Sequence, residues 1–161
     1  MSVHVRQADA DDAELVAELV RRAFRTVAEK LSFRPADYPN HPSNCAAGWV
    51  AEEMAKGAQF FVAETDGQAV GSVSLAQRDD GALWIRRLAV LPEHRQAGHG
   101  GALTARAMQA ARDLGASRVQ IGTVAEQPEI RAWYERRGFT VTEIREFDHL
   151  PFTVAFMARD L

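Results

Sequence analysis

Apolar residues between Ala13 and Ala28 return every third or fourth position, at Leu15, Val16, Leu19, Val20, Ala23, Phe24 and Val27, the spacing of one buried stripe on a helix. Ahead of them VHVRQ (3–7) alternates as a short strand does, and Asp9 to Asp12 supply carboxylates suited to a helix N-terminus. The pattern then lapses. LSFRPADYPNHPSNC (31–45) holds three prolines and no period, a length of loop that is uncommon unless it is functional or mobile, so it is a candidate wall of a substrate mouth. Ser43 or Asn44 is placed to cap a second, short helix through Trp49, Val50 and Met54, with Gly57 ending it.

From residue 59 the texture becomes that of strands. QFFVAET (59–65) and QAVGSVSLAQ (68–77) flank Asp66-Gly67, a dipeptide that favours positive φ and marks a hairpin. A turn at Asp79-Asp80-Gly81 leads into ALWIRRLAVL (82–91), which reads as a buried strand up to Pro92. After HRQAGHGGAL (94–103) the positions Leu103, Ala107, Ala110, Ala111 and Leu114 mark a helix face that stops at Gly115, and RVQIGTV (118–124) is again a strand. Strand, helix, strand implies a right-handed parallel crossover. Pro128 opens a last helix through Ile130, Trp133 and Tyr134, closed by Gly138, before FTVTEIREF (139–147) and FTVAFMARDL (152–161) complete the strands. These elements predict an α/β or α+β fold with a mixed sheet, and no repeat or linker divides them.

Bulk properties narrow the partners. The 161 residues suit one domain, 1–161, that buries roughly two thirds of its unfolded surface. A net charge of −3 supplies no cationic field for phosphate backbones, so nucleic acid is not an expected partner. No apolar run approaches the ~20 residues of a membrane span, the N-terminus lacks the apolar core of a signal peptide, and Cys45 is the sole cysteine. A cytoplasmic protein with no membrane partner is the expectation.

The chemistry concentrates in HRQAGHGGAL. A strand delivering the chain into a glycine-rich turn at a helix N-terminus makes an anion site, because the first-turn N–H groups lack intrahelical partners and the helix dipole is positive there. Gly98, Gly100 and Gly101 sit at that turn and Arg95 precedes it, which suits a phosphate cradle as well as a merely soft turn. A triphosphate loop is excluded because Gly-Lys-Ser/Thr is missing, and a dinucleotide fingerprint because Leu103 stands where its third glycine belongs.

LAVLPEHRQAGHGGAL (88–103) resembles the acetyl-CoA-binding segment of the GNAT superfamily of N-acetyltransferases, whose pattern is Arg or Gln, two residues, Gly, one residue, Gly or Ala; Arg95, Gly98 and Gly100 fill it. PEIRAWYERRGF (128–139) is similar to the superfamily's later motif, an aromatic-Tyr pair on a short helix followed by Gly-Phe. The likeness runs through nearly the whole chain in element order. It implies an acyl-CoA N-acyltransferase fold, a mixed, mostly antiparallel sheet of six to seven strands flanked by about four helices, and transfer of acetyl from acetyl-CoA to a primary amine. It further implies that the amides of Gln96, Ala97, Gly98, His99, Gly100 and Gly101 hold the pyrophosphate with Arg95 in support, and that the backbone of Leu88, Ala89 and Val90 pairs with the pantetheine arm. Tyr134 would protonate the departing thiolate. A homodimer, common in the superfamily, is expected to pair through the C-terminal strands. The rival readings are a catalytically silent acyl-CoA-binding module, a protein N-acetyltransferase, or transfer of a longer acyl group.

Two positions depart from the superfamily. Gln127 stands where Asn is frequent seven residues before Tyr134, and ALWIRRLAV lacks the carboxylate that often collects the amine proton, Trp84 and Arg86 occupying the region. Glu29, His41 and Glu93 remain as candidate bases, none favoured by spacing. Arg86 and Arg87 are adjacent, so strand alternation sends them to opposite faces, where one could meet an acidic acceptor. His41 and Cys45 are too few for a metal site, and none is expected. Cys45 lacks an evident base other than His41, which favours direct transfer to a small-molecule amine in a ternary complex over a covalent enzyme intermediate. His149, between the last two strands, is a candidate for the acceptor pocket.

Overall fold

The computed structural model describes residues 3–161. It holds seven strands, β1 (His4–Gln7), β2 (Gln59–Thr65), β3 (Gln68–Gln77), β4 (Leu83–Val90), β5 (Arg118–Val124), β6 (Thr140–Arg145) and β7 (Val154–Asp160), in one sheet of order β1-β2-β3-β4-β5-β7-β6. Four helices accompany them: α1 (Ala13–Lys30), α2 (Ala47–Ala55), α3 (His99–Asp113) and α4 (Pro128–Glu135). Every neighbouring pair is antiparallel except β4 and β5, joined through α3 as the parallel crossover requires. The mixed, mostly antiparallel sheet is as the sequence predicts.

Two apolar layers form because each face of the sheet needs cover. Val16, Leu19, Val20 and Ala23 of α1 bury against Phe60, Val62, Ala89 and Leu91, with Val50 of α2 in the same layer. Leu103, Ala107 and Ala111 of α3, with Tyr134 of α4 and the following Phe139, bury against Phe61, Leu75, Ile85 and Ile121 on the other face. The entry to α1 is set by a reciprocal cap, Asp9 accepting from the first turn while Asp12 accepts from the Asp9 amide. Arg6 grips the Asp12 carboxylate at 2.8 and 2.9 Å and holds it at about 2, well below the usual range.

Local details of the sequence reading are corrected. Neither Ser43 nor Asn44 caps α2, whose N-cap is Ala46 without a side-chain bond. The Ser43 hydroxyl is engaged by His41, and the Asn44 amide donates to the carbonyls of Pro35 and Tyr38, so both are spent ordering the loop. Leu114 is not on the α3 face; it lies at the helix C-cap and is 59% exposed.

The sheet is weakest at its centre. β4 and β5 share a single bridge, Trp84 with Gln120, and diverge beyond it, which leaves the β5-facing edge of Leu88, Ala89 and Val90 without a strand. Parallel strands splayed in this way leave main-chain groups free to pair with an extended ligand, the Val90 carbonyl excepted, which accepts from Arg95.

Candidate active site

β4 carries an irregularity where it starts to separate from β5. Ser74 pairs with Arg86 and Ser72 with Ala89, so two steps on β3 match three on β4. The extra residue is accommodated by Arg87 at φ 53°, a left-handed conformation uncommon outside glycine. Bulges of this kind bend the strand and re-aim its groups. Leu83 and Ile85 face α3 before the bulge, and Leu88 and Val90 do so after it. Arg86 and Arg87 therefore share the opposite face, correcting the alternation predicted for them. Both reach one carboxylate, Arg86 Nη1 to Glu53 Oε1 at 3.0 Å and Arg87 Nη1 to Glu53 Oε2 at 2.6 Å. Arg87 also lies over the Trp49 ring. Glu53, on α2, was not singled out in the sequence, because nothing local couples it to a strand more than thirty residues away.

Where β4 ends, the chain turns through a short 3-10 segment (Pro92–His94) into the glycine run. Gln96 and Gly98 adopt positive φ, 63° and 90°, and Gly98 is the N-cap of α3. A left-handed residue beside one of negative φ, as at Gln96–Ala97 and Ala97–Gly98, turns successive N–H groups into a concavity that suits an anion. The six amides from Gln96 to Gly101 donate to no acceptor among the described residues, the first α3 bond being Ala102 N–H to the Gly98 carbonyl. The glycines have different duties. Gly98 is required by its φ, whereas a Cβ on Gly100 would meet Trp133 Cζ2 at 3.3 Å and one on Gly101 would meet Arg137 Nη2 at 3.3 Å. Gly100 and Gly101 thus let α4 and the residues after it approach the α3 N-terminus.

Arg95 does not point freely at this concavity. Its Nε donates to the Val90 carbonyl at 3.0 Å and its Nη2 to Thr26 Oγ1 at 3.1 Å, tying the end of β4 to α1. Arg137 packs against Gly101: it stacks over Trp133 at 3.5 Å, donates Nη1 to the Trp133 carbonyl, and has no carboxylate partner among the described residues. A cation against the positive end of a helix is unfavourable by itself, so an anion placed between them would relieve both. The His99 ring is buried edge-on to His94, with Nδ1 unpartnered among the described residues.

Tyr134 is 7% exposed, wedged between Trp133 and Phe139 in edge-to-face contacts. Its hydroxyl makes no hydrogen bond to the described residues, and burial pushes the phenol well above its ordinary value. It therefore stays protonated at neutral pH and is a proton donor rather than a base. Gln127, also buried, is the N-cap residue of α4 without bonding its amides.

The long loop meets the β6–β7 connection through rings: Phe33 and His41 both contact Phe152, and Phe24 closes on His41. His41 is 5% exposed. The Ser43 N–H donates to its Nδ1 at 3.2 Å, so that nitrogen is an acceptor and the neutral ring carries its proton on Nε2. Burial lowers its pKa to about 4. The unfolded chain binds this proton near pH 6.5 and the folded chain does not, so stability is full above about 6.5 and falls as the pH drops towards 4, by up to about 3 kcal/mol. Denaturation midpoints measured across that range are expected to fall on the acid side, and His41→Phe should flatten this window while leaving the separate loss below pH 4 as Asp12 is protonated.

The other candidates lie apart from one another. Glu93 pairs with Arg22 at the surface, and Glu29 is exposed on α1. His149 is exposed with its ring against Phe147. Cys45 is buried and its thiol is pushed up by burial, which makes it a poor nucleophile. Trp84 lies between the Arg78 guanidinium at 4.3 Å and the edge of Phe156, with its indole N–H buried and unpartnered.

Comparison with known proteins agrees with this layout. The sequence profile of the acetyltransferase (GNAT) family matches residues 13–139. The chain is 28% identical over 142 residues to an uncharacterised N-acetyltransferase of Mycobacterium tuberculosis, covering 84% of this chain and 88% of that one. It is 36% identical over 92 residues to human N-acetyltransferase 8, covering 54% and 40%. Its fold superposes on the PaiA N-acetyltransferase of Thermoplasma acidophilum in complex with coenzyme A with a TM-score of 0.83 over all of both chains at 16% identity. A GNAT acetyltransferase of Elizabethkingia anophelis with acetyl-CoA bound gives 0.73 over 99% and 98% at 14% identity. With a family profile spanning most of its length and a fold shared with acetyl-CoA-bound relatives, the chain belongs to the GNAT family of acetyltransferases.

Proposed function

We propose that this acetyltransferase moves acetyl from acetyl-CoA to the primary amine of a small molecule, by direct attack with both substrates bound, and that it does so in the cytoplasm. The observation that carries the donor side is the row of six unpartnered amides at the end of the β4 edge that β5 leaves open. A pyrophosphate fits amides facing one concavity at a helix N-terminus, and the amide-rich pantetheine arm fits Leu88, Ala89 and Val90 as an added strand. Arg95 holds the cradle by bracing β4 against α1, and Arg137 supplies charge to the phosphates. Arg137→Gln is expected to weaken coenzyme A binding about tenfold at low salt and progressively less as salt rises, measured by isothermal titration.

The reaction follows from position. Backbone N–H groups at the β4 bulge polarise the thioester carbonyl, the amine attacks, and the Tyr134 hydroxyl gives its proton to the departing thiolate. Direct transfer fits the buried, high-pKa Cys45. Intact-mass spectrometry with acetyl-CoA and no amine should show an unmodified protein, while added amine should release thiol. A stable +42 Da adduct that amine then discharges would replace direct transfer by a covalent route. The one-domain chain offers β6, an exposed edge strand bearing Val141 and Ile144, as the face for a homodimer.

A further inference from the structure

We propose that the acceptor carries a carboxylate in addition to its amine, and that Arg86 is the residue that reads it; this rests on the acetyltransferase reading above. The β4 bulge turns Arg86 and Arg87 to the same side, and the two guanidinium groups share the single carboxylate of Glu53. The cluster therefore holds one positive charge in excess, on a face where Arg87 is 12% and Glu53 19% exposed. Arg78, stacked over Trp84, raises the positive potential further and is among the charges that act on Arg86. A cation taken this far out of water is costly unless it is fully paired.

Arg86 is not fully paired. Only its Nη1 donates to a protein group, and its side chain remains 34% exposed. Two residues earlier on the same face, the Trp84 indole N–H is buried with no acceptor. Neither group has a further acceptor among the described residues, and one anion or strong acceptor placed between them would satisfy both. A planar carboxylate matches the forked donors of a guanidinium, and one carboxylate balances the one excess charge. Position supports the assignment. Arg86 immediately precedes the bulge, at the end of the Leu88–Val90 edge where the thioester of a donor lying along β4 would arrive, and it faces the side of the sheet on which α1, α2 and the loop stand. Trp84 and Phe156 beside it offer an apolar wall to the rest of such an acceptor.

The test is a panel of α- and ω-amino acids assayed beside their amides by thiol release from acetyl-CoA, with Arg86→Gln and Glu53→Gln as paired variants. The wild type is expected to favour acids over the matching amides at least tenfold in kcat/KM. R86Q should erase that ratio by raising KM for the acids relative to the amides. E53Q frees both arginines and should increase the ratio several-fold, the opposite sign, which damage to the fold would not produce. Equal use of acids and amides by the wild type, or R86Q and E53Q shifting the ratio in the same direction, overturns the assignment. Binding of coenzyme A without transfer to any amine would instead remove the acetyltransferase reading on which it rests.

Discussion

Replacing Tyr134 by Phe is expected to lower kcat by about 10² to 10³ while leaving coenzyme A affinity close to that of the wild type. The substitution removes one oxygen that has no hydrogen-bond partner among the described residues, so it breaks no network, and both edge-to-face contacts with Trp133 and Phe139 survive. Its only consequence should be chemical: the departing thiolate loses the nearest proton donor. Because burial keeps the phenol protonated through the whole assay range, the wild-type rate should show no descending limb from this group below pH 10. Acetyl transfer across pH 6–10 for both proteins, with coenzyme A affinity measured alongside, checks the point. A variant that keeps full kcat would assign Tyr134 to packing alone.

A second large effect is expected at a residue without chemistry. A methyl group on Gly71 would stand 2.6 Å from the Ala89 carbonyl oxygen and 3.1 Å from Leu103 Cδ1. The first is backbone, so it cannot swing aside, and β3 must move from β4 at the level of the Leu88–Val90 edge. Gly71→Ala should cost about 2–3 kcal/mol and lower Tm by roughly 5–10 °C. It should also raise KM for acetyl-CoA. Gly48→Ala is the control: on α2, with no atom within 4 Å of its new Cβ, it should stabilise by up to about 1 kcal/mol.

These two residues illustrate what the sequence discloses. The short helix that carries Tyr134 was legible because Pro128 opens it and Gly138 closes it, while the role given to the hydroxyl came from the resemblance of AWYERRGF to the family motif. The hairpin, β4 and the cradle were legible because turn dipeptides, apolar runs and glycines before a helix each act locally. Gly71 was not, because its requirement comes from a carbonyl on another strand. Arg86 and Arg87 were misread for a related reason. Alternation assumes regular backbone, and nothing in RR announces that the second arginine takes a left-handed φ. Glu53 and Arg137 are placed by tertiary contact, which no periodicity encodes. Ser43 and Asn44 have the chemistry of caps but spend it on neighbours inside the loop.

The single Trp84–Gln120 bridge between β4 and β5 has a further consequence. Main-chain pairing joins the two halves of the sheet at that one rung, and the buried layer of Ile85, Val119 and Ile121 beneath α3 joins them on one face. A pantetheine arm laid along β4, as proposed above, would act as a splint across the gap. Trp84 stands on one half and Phe156 on the other, and their rings meet edge to face at 5.8 Å, so a side-chain tie joins the halves beside the one main-chain rung.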